Sequence, residues 1–166
     1  MNGGVYAAVF GLAARRRIRV GRLGRFDFAA GRYVYVGSAQ VNLAARLARH
    51  ARRRKALRWH IDYLSRWARL EIAWAWSRPK ADECRLAAAV GALPGAVAGP
   101  TGFGASDCRC ETHLYRLDGP LEPAALEARD PRWAGAVAYD VASLSRAAPS
   151  CGRRARGRTA AGAENG

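Results

Sequence analysis

Gly31-Arg32-Tyr33-Val34-Tyr35-Val36-Gly37 is the stretch that decides the fold. It is rich in aromatic and β-branched residues and bounded by glycines, which is the composition of a strand. A two-residue period puts Tyr33 and Tyr35 on one face and Val34 and Val36 on the other. Upstream, residues 4–13 give a similar strand, with Val5, Ala7 and Val9 alternating against Tyr6, Ala8 and Phe10. Between the two, Arg16 to Val20 alternate and turn at Gly21 and Gly24. Downstream, Asn42 is placed as the N-cap of a helix running to about Arg54, with Leu43 and Leu47 on its buried face. A second helix is expected over residues 57–68, burying Leu57, Ile61, Leu64 and Ala68. Leu70, Ile72, Trp74 and Trp76 then alternate with Glu71, Ala73 and Ala75 as a strand with one heavily apolar side. Pro79 opens a third helix and Gly91 ends it. Residues 94–107 read as a loop, Cys108 to Leu117 as strand, and Trp133 to Val141 as a further strand. The pattern predicts an α/β (α+β) domain: a small mixed, mostly antiparallel central sheet flanked by helices, over residues 1–145. From about Arg146 periodicity gives way to an Arg-, Gly- and Ala-rich tail, 146–166, expected to be disordered.

The chain has 166 residues, enough for one domain with its own core. Its net charge is +15, from 28 Lys and Arg against 13 Asp and Glu, and only Lys55 and Lys80 are lysines. Arginine's planar fork suits phosphate, so a polyanionic partner is one reading of the excess. An Ala-, Arg- and Gly-heavy composition of GC-rich coding origin is the other. Position therefore decides. No apolar run is long enough to span a bilayer, and Met1-Asn2-Gly3-Gly4 has no signal-peptide character, so a cytoplasmic protein without membrane contact is expected.

On the third helix Glu83 shares a face with Leu86, Ala87 and Val90, the side turned toward the sheet. A carboxylate there is costly unless it is paired or binds a cation; alternatively it sits in the first helical turn, partly solvated, and stabilises the dipole. Tyr6 and Tyr35 are either packing residues with a bonded hydroxyl or phenols available to a reaction. Arg46, Arg49, His50 and Arg53 recur at i, i+3, i+4 and i+7 and make one cationic stripe, with Arg49 and Arg53 as its nucleic-acid-binding members. The loop after Gly37 aims that stripe at the end of the tyrosine strand. His60 and Asp62, only two apart, do not share a helix face. His60 either hydrogen-bonds the candidate site or is a satisfied half-buried histidine, and Asp62 reads as a cap or an arginine partner.

Gly4-Val5-Tyr6 and Tyr35-Val36-Gly37 resemble the paired motifs of the GIY-YIG nuclease superfamily, and Arg46 with His50 resembles its arginine and the histidine one turn later. Glu83, on a helix after a strand, resembles its metal-binding glutamate. A longer match adds Trp59-His60-Ile61-Asp62-Tyr63-Leu64 and Gly102-Phe103-Gly104-Ala105-Ser106-Asp107-Cys108, then Cys110 and His113-Leu114. Across residues 4–117 the chain is similar to a GIY-YIG-like domain family sometimes fused to endonuclease III-type DNA glycosylases. The resemblance implies a metal-dependent endonuclease hydrolysing phosphodiester bonds, in DNA by preference and in DNA repair by association. It also implies catalytic roles for Tyr6, Tyr35, Arg46 and His50, and Mg²⁺ or Mn²⁺ on Glu83. A non-catalytic nucleic-acid-binding module of the same fold, or an RNA-directed nuclease, are the alternatives. The sequence departs from the superfamily in two ways. The long interval from Tyr6 to Tyr35 implies an inserted hairpin. No asparagine follows Glu83 before Asn165, which leaves the role of the usual asparagine empty or reassigned.

Cys84, Cys108, Cys110 and His113 have a spacing that permits zinc. The other reading is a buried thiol cluster. If 108–114 is a regular strand, His113 points away from both neighbouring cysteines.

Overall fold

The computed structural model describes residues 1–146. In chain order its elements are strands β1 (Gly4–Leu12), β2 (Arg16–Val20), β3 (Gly24–Phe28) and β4 (Gly31–Ala39), helices α1 (Leu43–Ala51) and α2 (His60–Leu64), and strand β5 (Arg69–Trp76). There follow a 3-10 turn at Lys80–Asp82, helix α3 (Glu83–Gly91), strands β6 (Val97–Ala98) and β7 (Leu114–Leu117), helix α4 (Pro123–Glu127), strand β8 (Val137–Asp140) and helix α5 (Val141–Arg146). The central sheet has six strands in the order β6-β7-β4-β1-β5-β8, every neighbouring pair antiparallel, and β2 with β3 forms a separate hairpin. That hairpin occupies the long interval between Tyr6 and Tyr35. The expected tail falls almost wholly outside the described residues. No helix among the described residues is long and apolar enough to cross a membrane.

The period-2 reading of β1 and β4 holds because both strands are buried on both faces. Val5, Ala7, Val9, Val34 and Val36 join Trp76, Trp133 and α3's Leu86, Ala87 and Val90 in one layer. Tyr6, Ala8, Phe10, Tyr33 and Tyr35 face α1, α2, α5 and the hairpin through Leu43, Leu47, Ile61, Leu64, Leu144 and Ile18. Large and small residues alternate across the strands. Tyr6 stands between Gly37 on β4 and Ala75 on β5, and Tyr35 stands opposite Ala8.

Six local expectations need correction. Leu70 does not share a side with Trp74 and Trp76: a register shift between Val9 and Phe10 leaves Glu71 as the extra residue of β5, so Leu70 joins the tyrosine layer. The helix expected over 57–68 shrinks to one turn and a half at His60–Leu64, and the first helix stops at Ala51 rather than Arg54. Asn42 occupies the N-cap position, but with φ 54° and no side-chain cap; it serves as a residue that tolerates the left-handed region. Finally, strand structure begins at Leu114 rather than Cys108, so residues 108–113 are irregular, and the strand expected over 133–141 is confined to Val137–Asp140.

The α1–α2 connection is built around one buried carboxylate. Asp62, with no exposed side-chain surface, receives both guanidinium nitrogens of Arg49 (2.7 and 2.9 Å) and the backbone N–H groups of Arg58 and Trp59 (2.9 and 3.0 Å). The Lys55 ammonium lies 3.4 Å away and donates to the carbonyls of Arg49 and His50, closing the C-terminus of α1. Burial opposes ionisation of Asp62, yet Arg49 and the two N–H groups outweigh it and hold its carboxyl at about 2. Asp62→Ala strips the partner from Lys55 and the cap from α2. It is expected to cost ~3 kcal/mol in urea unfolding at pH 7, as breaking a buried ion pair does. A cost below ~1 kcal/mol would place the organising interaction elsewhere.

Candidate active site

Tyr6 is held by its neighbours more tightly than a core phenol needs. Its ring crosses Gly37, where an added Cβ would lie 2.6 Å from the Tyr6 hydroxyl, so only glycine leaves the phenol room. Beyond Gly37 the hydroxyl meets His50 Nε2 at 2.8 Å in a buried hydrogen bond between β1 and α1. Burial pushes the His50 pKa down to about 3, with Lys55 adding to the effect. The ring is therefore neutral near pH 7, and Nε2 accepts the Tyr6 proton. That tautomer puts a proton on Nδ1, which has no hydrogen-bond partner among the described residues. Burial, then Tyr35, raise the Tyr6 phenol well above its ordinary pKa, while Arg46 pulls it back. Burial likewise raises Tyr35. The three rings pack as one unit, with Tyr6–Tyr35 centroids at 6.4 Å and Tyr35–His50 at 5.9 Å, edge-on.

Tyr6, Tyr35, Arg46 and Glu83 line one cavity of ≈ 530 Å³ at the end of the sheet, and His50 lies directly beneath it. Arg46 reaches it from α1 with its guanidinium 4.6 Å above the Trp59 ring. Glu83 reaches it from the first turn of α3, with its side chain 14% exposed. Its Oε2 accepts from the Ser38 hydroxyl of β4 in a very short hydrogen bond, and its Oε1 faces His113 Nδ1 at 3.1 Å. The carboxylate is thus neither in bulk water nor unpartnered. Each oxygen keeps a lone pair for a ligand on the cavity side. The other carboxylate of the rim, Asp107, is paired with Lys80 at 2.8 Å.

The chain belongs to the family described as Domain of unknown function DUF123, whose model matches residues 5–129. No curated protein and no solved structure matches the chain. The DUF123 span contains every residue of the cavity described above.

The cationic stripe read from α1 divides. Arg46 enters the cavity, His50 is buried and uncharged, and Arg49 is committed to Asp62, to the Ala56 carbonyl and to the Trp59 face. Arg53 lines a separate depression with Trp67 and Arg69. Neither Arg49 nor Arg53 lines the cavity of Tyr6. His60 does, and its Nδ1 accepts the Gly104 N–H at 3.0 Å. Ser38, Trp59 and Lys80 are site residues that the sequence did not single out. Trp59, inside a quoted motif and one turn before Tyr63, carried the only available signal.

Cys84, Cys108, Cys110 and His113 do come together: one ligand atom from each lies within 4.8 Å of all the others, a group that could hold a metal ion. The irregular backbone of 108–113 makes this possible, because His113 is freed from strand alternation.

Two outcomes follow. The unfolded chain protonates a histidine near 6.5, but folded His50 resists protonation down to about 3. Stability should therefore fall as pH drops through that window, by up to ~1.4 kcal/mol per pH unit from this group. In urea titrations from pH 7 to 4, His50→Gln is expected to give a shallower slope than wild type; equal slopes would deny the buried neutral ring. Gly37→Ala forces Tyr6 off His50 and is expected to cost ~1–3 kcal/mol in the same assay.

Proposed function

We propose that this DUF123 chain is a GIY-YIG-type endonuclease that hydrolyses phosphodiester bonds in DNA with the help of one divalent metal ion. The observation that carries the reading is the convergence of Tyr6, Tyr35, Arg46 and Glu83, from four separate elements, on a single cavity, with His50 bonded to Tyr6 beneath it. A packing role accounts for a buried tyrosine. It does not account for two phenols, a guanidinium and a partly exposed carboxylate around one opening.

The roles follow from the protonation states. Tyr6 keeps its proton near neutrality and directs it in a hydrogen bond to His50 Nε2, while Arg46 approaches its oxygen. Its oxygen is suited to accept a hydrogen bond from an attacking water and so to orient it, while His50, which resists protonation, holds the phenol in place. Tyr35 packs its ring at a tilt against Tyr6 and offers its hydroxyl to the phosphate. Arg46, stacked on Trp59 and without an acidic partner among the described residues, supplies fixed positive charge to the oxygens of a pentacoordinate phosphorus. Lys80 stands at the rim, paired with Asp107. Glu83 is the carboxylate that would hold Mg²⁺ or Mn²⁺, ions satisfied by one acidic ligand with water and phosphate oxygens completing the shell. Bound there, such an ion would offset developing phosphate charge. Ser38 and His113 fix the carboxylate in place.

A nucleic-acid substrate is favoured by the charge pattern, and DNA over RNA by the resemblance alone. The β2–β3 hairpin exposes Arg16, Arg17, Arg19, Arg22 and Arg25, and one acidic residue, Asp27, is among them. Such a finger suits a phosphate backbone in a sequence-independent way.

Nicked, branched and single-stranded DNA incubated with Mg²⁺ or Mn²⁺ should be cut. Tyr6→Phe and Glu83→Ala are each expected to reduce cleavage by ~10²-fold or more, and Arg46→Ala by ~10²–10³-fold. Tight binding without cleavage under either metal would make the chain a binding module. Products from RNA alone would move it to RNA.

A further inference from the structure

We infer that Cys84, Cys108, Cys110 and His113 form a structural zinc site, and that its histidine is the residue that positions Glu83. The site is separate from the cation assigned to Glu83, and its existence does not depend on that assignment.

The donor set is the first argument. Three thiols and an imidazole are soft and borderline ligands of the kind that close a tetrahedral zinc centre, and hard cations such as Mg²⁺ avoid them. Geometry is the second. Zn–S bonds of about 2.3 Å and Zn–N bonds of about 2.0 Å require ligand-to-ligand edges of about 3.5–3.8 Å. Cys108 Sγ and His113 Nε2 are already 3.5 Å apart. All four ligand atoms lie within 4.8 Å of one another, so closing the site takes shifts of about 1 Å at most. A cavity of ≈ 290 Å³ opens beside them, lined by Cys84, Cys108, His113 and Glu83.

The third argument is what the site would connect. Cys84 sits in the first turn of α3, next to Glu83, whereas Cys108, Cys110 and His113 belong to the segment that leads into β7. That segment also carries Gly104, where an added Cβ would press on Tyr35 at 2.9 Å, and Asp107, the partner of Lys80. Little regular structure holds it: His113 donates its N–H to the Phe103 carbonyl at 2.7 Å and accepts from Val36 at 2.9 Å. Zinc would staple this wall of the cavity to α3. His113 has its Nε2 toward the sulfurs and its Nδ1 toward Glu83 Oε1. A metal on Nε2 requires the proton on Nδ1, so the imidazole becomes an obligate donor to the carboxylate. This is the carboxylate–histidine–zinc arrangement, with Glu83 as the outer partner. His113 is on this account a positioning residue, and Ser38 holds the other oxygen.

The full-length chain, isolated under reducing conditions, should contain one zinc per molecule by elemental analysis. After stripping with a chelator, Co²⁺ should restore thiolate-to-cobalt charge-transfer absorption together with the visible bands of a tetrahedral ion. Cys108→Ser should lose that charge-transfer intensity. Because that variant risks misfolding, the deciding measurements use cysteine-intact protein. In zinc-loaded, ¹⁵N-labelled chain, His113 should show a metal-bound Nε2 and a protonated Nδ1. Glu83→Gln should shift that Nδ1–H resonance while keeping one zinc. Folded protein that holds no zinc and gives no cobalt charge transfer overturns the site. Metal on Nδ1, or a Nδ1–H unmoved by Glu83→Gln, overturns the link. Neither result touches the cleavage assay, and loss of cleavage alone leaves the zinc count unchanged.

Discussion

A carboxylate without solvent cannot be left unmatched, and Asp62 is matched by nearly everything around it. Arg49 supplies two hydrogen bonds, Arg58 and Trp59 supply their backbone N–H groups, and Lys55 stands behind. Satisfying this one charge fixes the end of α1, the start of α2 and the plane of Trp59. The rotation of α1 follows from it. With Arg49 turned to Asp62, the residues one turn earlier and one position later, Arg46 and His50, are directed to the cavity and to Tyr6. The chemistry proposed for the site is therefore downstream of an ion pair that takes no part in it.

Much of the architecture was legible because β1 and β4 carry two simultaneous patterns. Aromatic residues mark one face and valines the other, and both faces are buried, so a strand assignment places each side chain in its layer without further information. What could not be read came from events with no local signature. The shift that reassigns Leu70 arises from pairing with β1, a partner about sixty residues away. The brevity of α2 reflects backbone around Asp62 that an apolar period of 3.6 does not reveal. The irregular backbone at Cys108–His113 is tied at His113 to Phe103 and Val36 and at Glu111 to Gly102, none adjacent in sequence.

The candidate site divides in the same way. Tyr6, Tyr35, Arg46, His50 and Glu83 were visible as residue types in order along the chain, and their meeting at one cavity needed only the strand and helix directions to be right. Arg49 and Arg53 were grouped with Arg46 because helical spacing cannot distinguish a cation facing a ligand from one facing Asp62. Ser38, the small polar residue after Gly37, carries no sequence signal of its role. It becomes informative only once α3 delivers Glu83 to it.

The two faces of the sheet carry different burdens. Behind Val5, Val9 and Val36, Trp76 packs edge-on against Trp133 and donates to its carbonyl, in a dry layer without an ionised group of the cavity. Sequence drift in that layer alters how firmly the platform is held and leaves the reacting groups where they are. On the opposite face a single methyl group at Gly37 displaces a phenol. Tolerance to change is thus partitioned by the sheet itself, and a lineage could adapt its heat resistance on one side while its chemistry stood still on the other.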